Sequence, residues 1–162
     1  MTVALKLTHD EPRLVYLALV YHLGRPGSEL DPGTKQPIVH GLRDLKVALG
    51  RELANDSAII ELDQPQVQKL LSAIYGCATE LRGHHLRDGV ASTVARFTET
   101  AIELFPQIRT DPEDALAVAE AMVMLHRRME RAVRRAVPTA SDASSASADP
   151  SMGQQRRWPL RR

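Results

Sequence analysis

The clearest folding signal in the chain is the stretch QPQVQKLLSAIYGCATELR, residues 64–82. Asp63 and Gln66 before the apolar run have the spacing of a helix capping box, and Pro65 stands in the first turn, where a missing N–H does no harm. Gly83 follows as the expected end of the helix. The apolar residues recur every three or four positions and therefore share one face of a helix: Val67, Leu70, Leu71, Ile74, Ala78 and Leu81.

A similar arrangement occurs nearer the N-terminus. The pair Thr8 and Glu11 again has capping-box spacing, and residues 14–23 after it are apolar on nearly all sides, which predicts a helix at the centre of the core. A short stretch with the alternating pattern of a strand precedes each of these two helices. It covers residues 3–7 before the N-terminal helix and residues 58–62 before the helix of residues 64–82. The sequence therefore indicates a degenerate strand-then-helix repeat, whose two strands can pair into a minor β-ribbon on the helical core.

Two more helices are predicted in the middle of the chain. Residues 24–37 hold three glycines and three prolines and are expected to form an exposed loop. The helix after it, over residues 38–54, has four inward-facing leucines: Leu42, Leu45, Leu49 and Leu53. The next helix is expected over residues 85–105, ended by Pro106, with an inner face of Leu86, Val90, Val94, Phe97, Ala101 and Leu104.

The last helix has the strongest start signal. Asp111 is a capping residue, Pro112 suits the first helical position, and Glu113 and Asp114 oppose the positive end of the helix dipole. The helix should continue to about Val137. Its apolar positions alternate spacings of four and three, which favours packing within the chain and also permits a homodimer through residues 118–136: Val118, Met122, Leu125, Met129 and Ala132.

The fold expected from these signals is mainly α: a compact bundle of about five helices, with a minor two-stranded β-ribbon and a disordered C-terminal tail. Leucine and alanine occur 20 times each while aromatic residues make up 4% of the chain, a composition that favours helices. The helical domain is predicted over residues 1–137. Residues 138–162 form an Ala/Ser-rich linker with an Arg/Trp-rich end and contain too little apolar surface to offset the entropy of ordering.

Composition limits the class of protein. A chain of 162 residues with 43% hydrophobic residues can bury a core without a disulfide or a metal. Cys77 is the only cysteine, which excludes an intramolecular disulfide and favours a reducing compartment, so we expect a cytoplasmic protein. The longest apolar run, residues 14–21, is too short to span a membrane, and the N-terminal residues have no secretory signal pattern.

The formal net charge of +1 conceals an uneven distribution of charge. Residues 127–162 carry nine arginines against three carboxylates, a balance of +6, whereas residues 1–126 carry 12 basic and 17 acidic residues, a balance of −5. The basic part of the chain therefore begins at the end of the last helix, where it is expected to contact a partner or an anion. The candidate residues are Arg127, Arg131, Arg134, Arg135, Arg156, Arg157, Trp158, Arg161 and Arg162.

Each half of this basic region has two interpretations. Arginines at a helix C-terminus complement the backbone carbonyls and keep the surface solvated, but Arg127, Arg131 and Arg134 also share a face that suits phosphate or carboxylate. The tail is either a solubilising end or a short binding motif, since Trp and Arg commonly anchor interfaces. Arg128 belongs to the same helix end.

The function predicted from these features is that of a non-catalytic helical interaction or accessory module, whose basic C-terminus contacts an acidic protein surface. The first alternative is a nucleic-acid-associated protein that contacts phosphates through the helix end, Arg127–Arg135, and the tail. The acidic body opposes that alternative, because dedicated nucleic-acid-binding domains are usually basic over a broad face.

The second alternative is a metal-dependent enzyme. The sequence has one local cluster of possible metal ligands: Glu80, His84, His85 and Asp88. Glu80 with His84, and His84 with Asp88, have the i, i+4 spacing of residues on one helix face that can bind the same ion. The ordinary interpretation of such a cluster is a polar turn between helices. No cofactor is expected, because the chain contains neither a GxGxxG dinucleotide motif nor a phosphate loop; the spacing from Gly27 to Gly33 and the order of Thr34 and Lys35 do not fit one. Cys77 lies in an apolar helical stretch and is expected to act as a small hydrophobe.

Overall fold

The computed structural model describes residues 2–31, 33–38, 40–85, 94, 96–109 and 111–136. Over these residues it confirms a mainly helical bundle of five α-helices with one two-stranded antiparallel sheet. The predicted disordered segment, residues 138–162, lies outside the described residues. In chain order the elements are β1 (Thr2–Thr8), α1 (Glu11–Gly24), α2 (Leu42–Glu52), β2 (Ser57–Asp63), α3 (Gln64–His85), α4 (Phe97–Leu104), a 3-10 turn (Pro106–Arg109) and α5 (Pro112–Ala136).

The two predicted strands pair with each other along their whole length. Thr2 lies opposite Asp63 and Thr8 opposite Ser57, an antiparallel register in which every second residue faces the helices. The inward residues are the buried ones: Val3, Leu5, Leu7, Ala58, Ile60 and Leu62. Because each strand leads into a helix and the strands are antiparallel, α1 and α3 start at opposite ends of the ribbon.

The start of α3 is a complete capping box, as predicted. The Gln66 N–H donates to Asp63 Oδ1 at 2.8 Å, and the Asp63 N–H donates to Gln66 Oε1 at 2.9 Å. The start of α1 has half of this arrangement, since the Thr8 N–H donates to Glu11 Oε2 at 2.8 Å. The Thr8 hydroxyl also donates to that oxygen, at 3.3 Å, and caps no backbone amide.

Helix α1 lies at the centre of the core, as its all-apolar sequence predicts, with Leu17, Ala18 and Leu19 fully buried. Helix α3 packs against both α1 and α5. The apolar stripe of α5 is used within the chain, since these residues are buried: Val118, Met122, Leu125 and Met129. A homodimer through residues 118–136 therefore remains a prediction that must use the outer face of α5.

The second helix is shorter than predicted. It begins at Leu42 instead of residue 38, because Gly41 has a left-handed φ of 71° and interrupts the helical backbone. A Cβ at this position would lie 2.6 Å from Gln66 Nε2, which donates to the His40 carbonyl at 2.9 Å. The loop before it closes on itself through a bridge between Leu30 and Pro37. Of the four predicted inward leucines, Leu42 and Leu49 are buried and the other two are half-buried.

The boundary between the third and fourth helices is also wrong in the sequence prediction. Gly83 does not end α3, which continues to His85. Of the helix predicted over residues 85–105, the structure describes Phe97–Leu104 as helical; Val94 lies in a bend and Arg96, with a left-handed φ of 61°, interrupts the helical backbone, while residues 86–93 are outside the described residues. Val94, Phe97 and Ala101 are buried, which confirms that part of the predicted inner face, while Leu86 and Val90 lie outside the described residues.

Across the ranges that the structure describes, no helix has both the length and the apolar character needed to cross a membrane.

Candidate protein-binding groove

A groove of about 380 Å³ lies between the start of α1 and the outer face of α5. We call it the α1–α5 groove. Its apolar lining includes the buried side chains of Leu14 and Leu125. Met124 borders the groove with 61% of its surface exposed, although a methionine ordinarily lies inside a domain. The groove therefore offers apolar surface to water at the point where α5 becomes basic.

Arg128 closes one side of this groove and belongs to the framework of the fold. Its Nη2 donates to Glu11 Oε2 at 2.6 Å and to the Lys6 carbonyl at 3.2 Å. The Glu11 carboxylate also accepts from the Thr8 backbone, so a single oxygen joins the turn between β1 and α1 to the last helix. The side chains of Arg128 and Glu11 are 40% and 20% exposed, and solvent screening limits this ion pair to about 1 kcal/mol.

The other arginines at the end of α5 are exposed, as the sequence predicts for a binding face or a solvated face. Arg134 Nη2 pairs with Glu130 at 2.8 Å, and Arg131 Nε donates to the carbonyl of Arg127 at 3.2 Å. Within the described part of the chain, the guanidinium groups of Arg127 and Arg135 have no ion pair. These side chains can therefore bind carboxylates or phosphates without breaking a bond that holds the fold together.

The carboxylates nearest the groove are already engaged. Glu11 is bound to Arg128, and Asp10 pairs with Arg13 at 3.2 Å. Arg131, which lines the groove, has no such pair among the described residues. The groove is thus apolar at its base and retains unneutralised positive charge on its α5 side, a combination that suits an amphipathic, acidic ligand.

The tail candidates lie outside the described residues, so the structure does not bring them to this site: Arg156, Arg157, Trp158, Arg161 and Arg162.

The metal cluster proposed from the sequence has no support in the part of the chain that the structure describes. Because α3 continues through Gly83, Glu80 and His84 lie one helical turn apart on the same helix. Asp88 and the side chains of His84 and His85 are outside the described residues. The remaining His, Cys, Asp and Glu side chains that are described form no group of three able to hold a metal ion.

Two other groups from the sequence analysis have structural roles. Cys77 is fully buried, and burial raises the pKa of its thiol well above the ordinary range, so it is neutral and packs as a small hydrophobe, as predicted. In the loop that superficially resembles a phosphate loop, the Asp31 carboxylate accepts from the backbone amides of Gly33 and Thr34 at 2.9 and 2.6 Å. These hydrogen bonds, together with one from the Thr34 hydroxyl, lower the pKa of Asp31.

His22 is buried at the end of α1, with 8% of its surface exposed. Its Nε2 has no hydrogen-bond partner among the described residues. Burial lowers the pKa of this imidazole, and the charges of Lys69 and Arg25 lower it further, so it is neutral at physiological pH.

Sequence reasoning found the arginines but missed the groove beside them. One signal was available, because Met124 falls outside the apolar stripe of α5 and is expected to be exposed for that reason. The contribution of α1 has no such signal, since Leu14 and Leu125 are brought together only by the packing of distant segments.

No protein-family model, curated protein or solved structure matches this chain. We therefore infer a function from the geometry of the groove and its charges.

Proposed function

We propose that this protein is a non-catalytic interaction module that binds an acidic, amphipathic segment of a partner protein. The α1–α5 groove takes an apolar side chain of the partner, and the arginines of α5 pair with its carboxylates. The observation that carries the proposal is that the exposed Met124 and Arg131, two turns apart on α5, line the same apolar groove.

Several physical arguments support this function. A flexible, polarizable methionine adapts to different apolar partners, and methionine and arginine are both enriched in protein interfaces. The planar guanidinium groups of Arg127, Arg131 and Arg135 can each bind a carboxylate through two parallel hydrogen bonds. Because a groove of 380 Å³ holds only one or two side chains, the complex should be transient, with an affinity on the order of micromolar.

A nucleic acid is the weaker candidate for the same arginines. Arg128 and Arg134 are paired with Glu11 and Glu130, which reduces the positive charge that faces outward. Residues 1–126 carry a net charge of −5 and would repel phosphates in the neighbourhood. The apolar groove also has no role in binding to a sugar–phosphate backbone.

The metal-dependent enzyme is not proposed further, since Asp88 and the side chains of both histidines lie outside the described residues. A cytoplasmic location remains part of the proposal. It is supported by the single cysteine, Cys77, which is buried and therefore has no role in a disulfide framework.

The proposal can be tested with a fluorescently labelled model peptide of alternating glutamate and leucine residues, followed by anisotropy. Two control probes are a glutamate–serine peptide of equal charge and a single-stranded oligonucleotide of mixed sequence. We expect saturable binding of the glutamate–leucine peptide and weaker binding of both controls. Tighter binding of the oligonucleotide, weakened steeply by salt, would instead support the nucleic-acid alternative.

Variants then locate the binding site. Arg131→Glu and Met124→Ser should each weaken peptide binding by about tenfold, the equivalent of one lost charge-assisted hydrogen bond or one buried side chain. Arg109→Glu makes the same change in charge at an exposed position of the 3-10 turn before α5, whose first residue lies about 28 Å along the helix axis from Arg131, and should leave binding unchanged. Equal losses in Arg131→Glu and Arg109→Glu would show that only net charge matters and would refute the groove as the site.

A further inference from the structure

A second groove, of about 740 Å³, lies between α2 and β2 and is independent of the proposed function. We call it the α2–β2 groove. Leu45, Ala48 and Leu49 line it from the helix, and Ile59 lines it from the strand. Ile59 is 71% exposed, the most exposed of the large apolar side chains among the described residues. The outer face of the ribbon therefore presents a β-branched apolar residue beside an open apolar groove.

Carboxylates border this groove on both sides. Glu52 lines it from α2 and Glu61 from β2, against a single cation, Lys6. Glu52 accepts a hydrogen bond from the Asn55 side chain, which leaves its negative charge in place. More widely, residues 44–63 carry five carboxylates and two cations. A ligand of this groove should therefore have an apolar centre with positive charge at either end.

One segment of this chain has that composition. Residues 156–162 read RRWPLRR, in which Trp158, Pro159 and Leu160 stand between two pairs of arginines. We propose that this segment docks in the α2–β2 groove of its own chain, with the apolar residues against Ile59 and the arginines beside Glu52 and Glu61.

The length of the chain permits this contact. Arg128 Nη2 donates to the carbonyl of Lys6, so the C-terminal half of α5 runs beside β1, and Lys6 also lines the groove. A flexible chain as long as the 22 residues that follow Ala136 has a root-mean-square span of about 25 Å, and its extended length of about 75 Å exceeds the roughly 37 Å diameter of a domain of this size. Such a tether gives an effective concentration in the millimolar range, so a weak affinity is sufficient.

Docking would place the two basic parts of the chain in different roles. The tail arginines would neutralise part of the acidic body, while Arg127, Arg131 and Arg135 would remain available to a partner at the α1–α5 groove. The two proposals use different residues, so either one can fail while the other stands.

Trp158 is the only tryptophan, so quenching of its fluorescence by acrylamide in the full chain reports on the tail alone. The reference is a synthetic peptide of residues 154–162. With an effective concentration of about 1 mM and a groove dissociation constant of about 0.3 mM, about three quarters of the molecules are docked and the quenching constant falls about fourfold below that of the peptide.

Two groove variants should restore the quenching constant of the free peptide: Glu52→Gln combined with Glu61→Gln, and Ile59→Ser alone. The matched control, Glu99→Gln with Glu103→Gln, removes two charges from exposed positions on α4 and should keep the protection of the original protein. Far-UV circular dichroism checks that each variant is folded.

Three outcomes would overturn the proposal. The first is a Trp158 that is quenched as strongly in the full chain as in the peptide. The second is protection that the control variant removes as completely as the groove variants. The third is protection that disappears on dilution from micromolar to nanomolar protein, since an intramolecular contact does not depend on concentration; that result would place the tail on a second copy of the chain.

Discussion

Replacement of Gly76 by alanine tests how closely α1 and α3 approach each other. A Cβ built at Gly76 lies 2.9 Å from Cε1 of Tyr21, closer than carbon atoms pack without movement. The Tyr21 ring has little room to move, because it stacks edge-on against Phe97 with ring centroids 5.6 Å apart and Arg25 lies over it at 5.5 Å. The added methyl must therefore shift a backbone or force the ring away from its preferred rotamer.

Two opposing effects set the size of the change in stability. Alanine is favoured over glycine in a helix interior by about 1 kcal/mol. Overpacking of a core typically costs about 1–3 kcal/mol. Since Tyr21 is buried and held on both sides, the second effect should exceed the first, and we expect Gly76→Ala to lower the free energy of unfolding by about 1 kcal/mol.

Gly50→Ala in α2 is the matched control. Its Cβ would lie 3.1 Å from Cε2 of Tyr16, which is only half-buried and can turn towards solvent. Because the Tyr16 ring can move away, little overpacking should offset the gain in helix propensity from glycine to alanine. We therefore expect Gly50→Ala to raise the free energy of unfolding by about 0.5–1 kcal/mol.

Urea denaturation followed by circular dichroism measures both variants. The double variant Tyr21→Leu with Gly76→Ala completes a mutant cycle, in which Gly76→Ala should become stabilising once the ring is gone. If Gly76→Ala stabilises the original protein as much as Gly50→Ala does, the close approach of α1 and α3 is refuted.

Three further predictions concern buried or paired polar groups. Glu11→Gln should lower the free energy of unfolding by about 1 kcal/mol in urea denaturation, because the Glu11 carboxylate joins Thr8 to Arg128. The control Asp10→Asn should have almost no effect, since the ion pair of Asp10 with Arg13 is exposed. Equal effects of the two variants would contradict a structural role for Glu11. The pKa of His22 is lowered from its ordinary 6.5, so the unfolded chain binds a proton that the native chain does not as the pH falls through that value. The free energy of unfolding should therefore decrease towards acid by at most about 1.4 kcal/mol per pH unit. His22→Gln should reduce this pH dependence when urea denaturation is compared at about pH 7.5 and about pH 5.5. An identical pH dependence in the variant would exclude His22 as its source. The Cys77 thiol should react with a disulfide reagent only at the rate at which the chain opens, with acceleration by urea, because it is fully buried and its pKa is raised; immediate reaction in the native protein would disprove its burial.

Much of the fold was predictable because its signals are local. The reciprocal hydrogen bonds of Asp63 and Gln66 join residues three positions apart, and the Asp111 carboxylate accepts from Glu113 two positions on at 2.8 Å. The ribbon was predictable for a similar reason, since burial alternates with a period of two along both strands. In each case the residues that interact, or that share a face, are close enough in sequence to be recognised from spacing alone.

The candidate site was predictable only in part. The sequence indicated exposed arginines at the end of α5, because they lie off its apolar stripe. Arg128 was not among the candidate residues, but nothing in the sequence indicated that it is bound to Glu11, which lies 117 positions earlier in the chain. The sequence also did not indicate that Leu14 and Leu125 would form the base of a groove beside the exposed arginines.

By itself, the sequence determined the helical class, the two strands, the starts of three helices and the uneven distribution of charge. The tertiary structure alone decided that α3 continues through Gly83 and that a left-handed Arg96 stands before the start of α4 at Phe97. The physical reason is that a glycine costs a helix only about 1 kcal/mol, which packing against neighbouring helices can outweigh. Spacing along the chain reports on interactions within a helical turn, whereas grooves and long-range ion pairs depend on how distant segments pack.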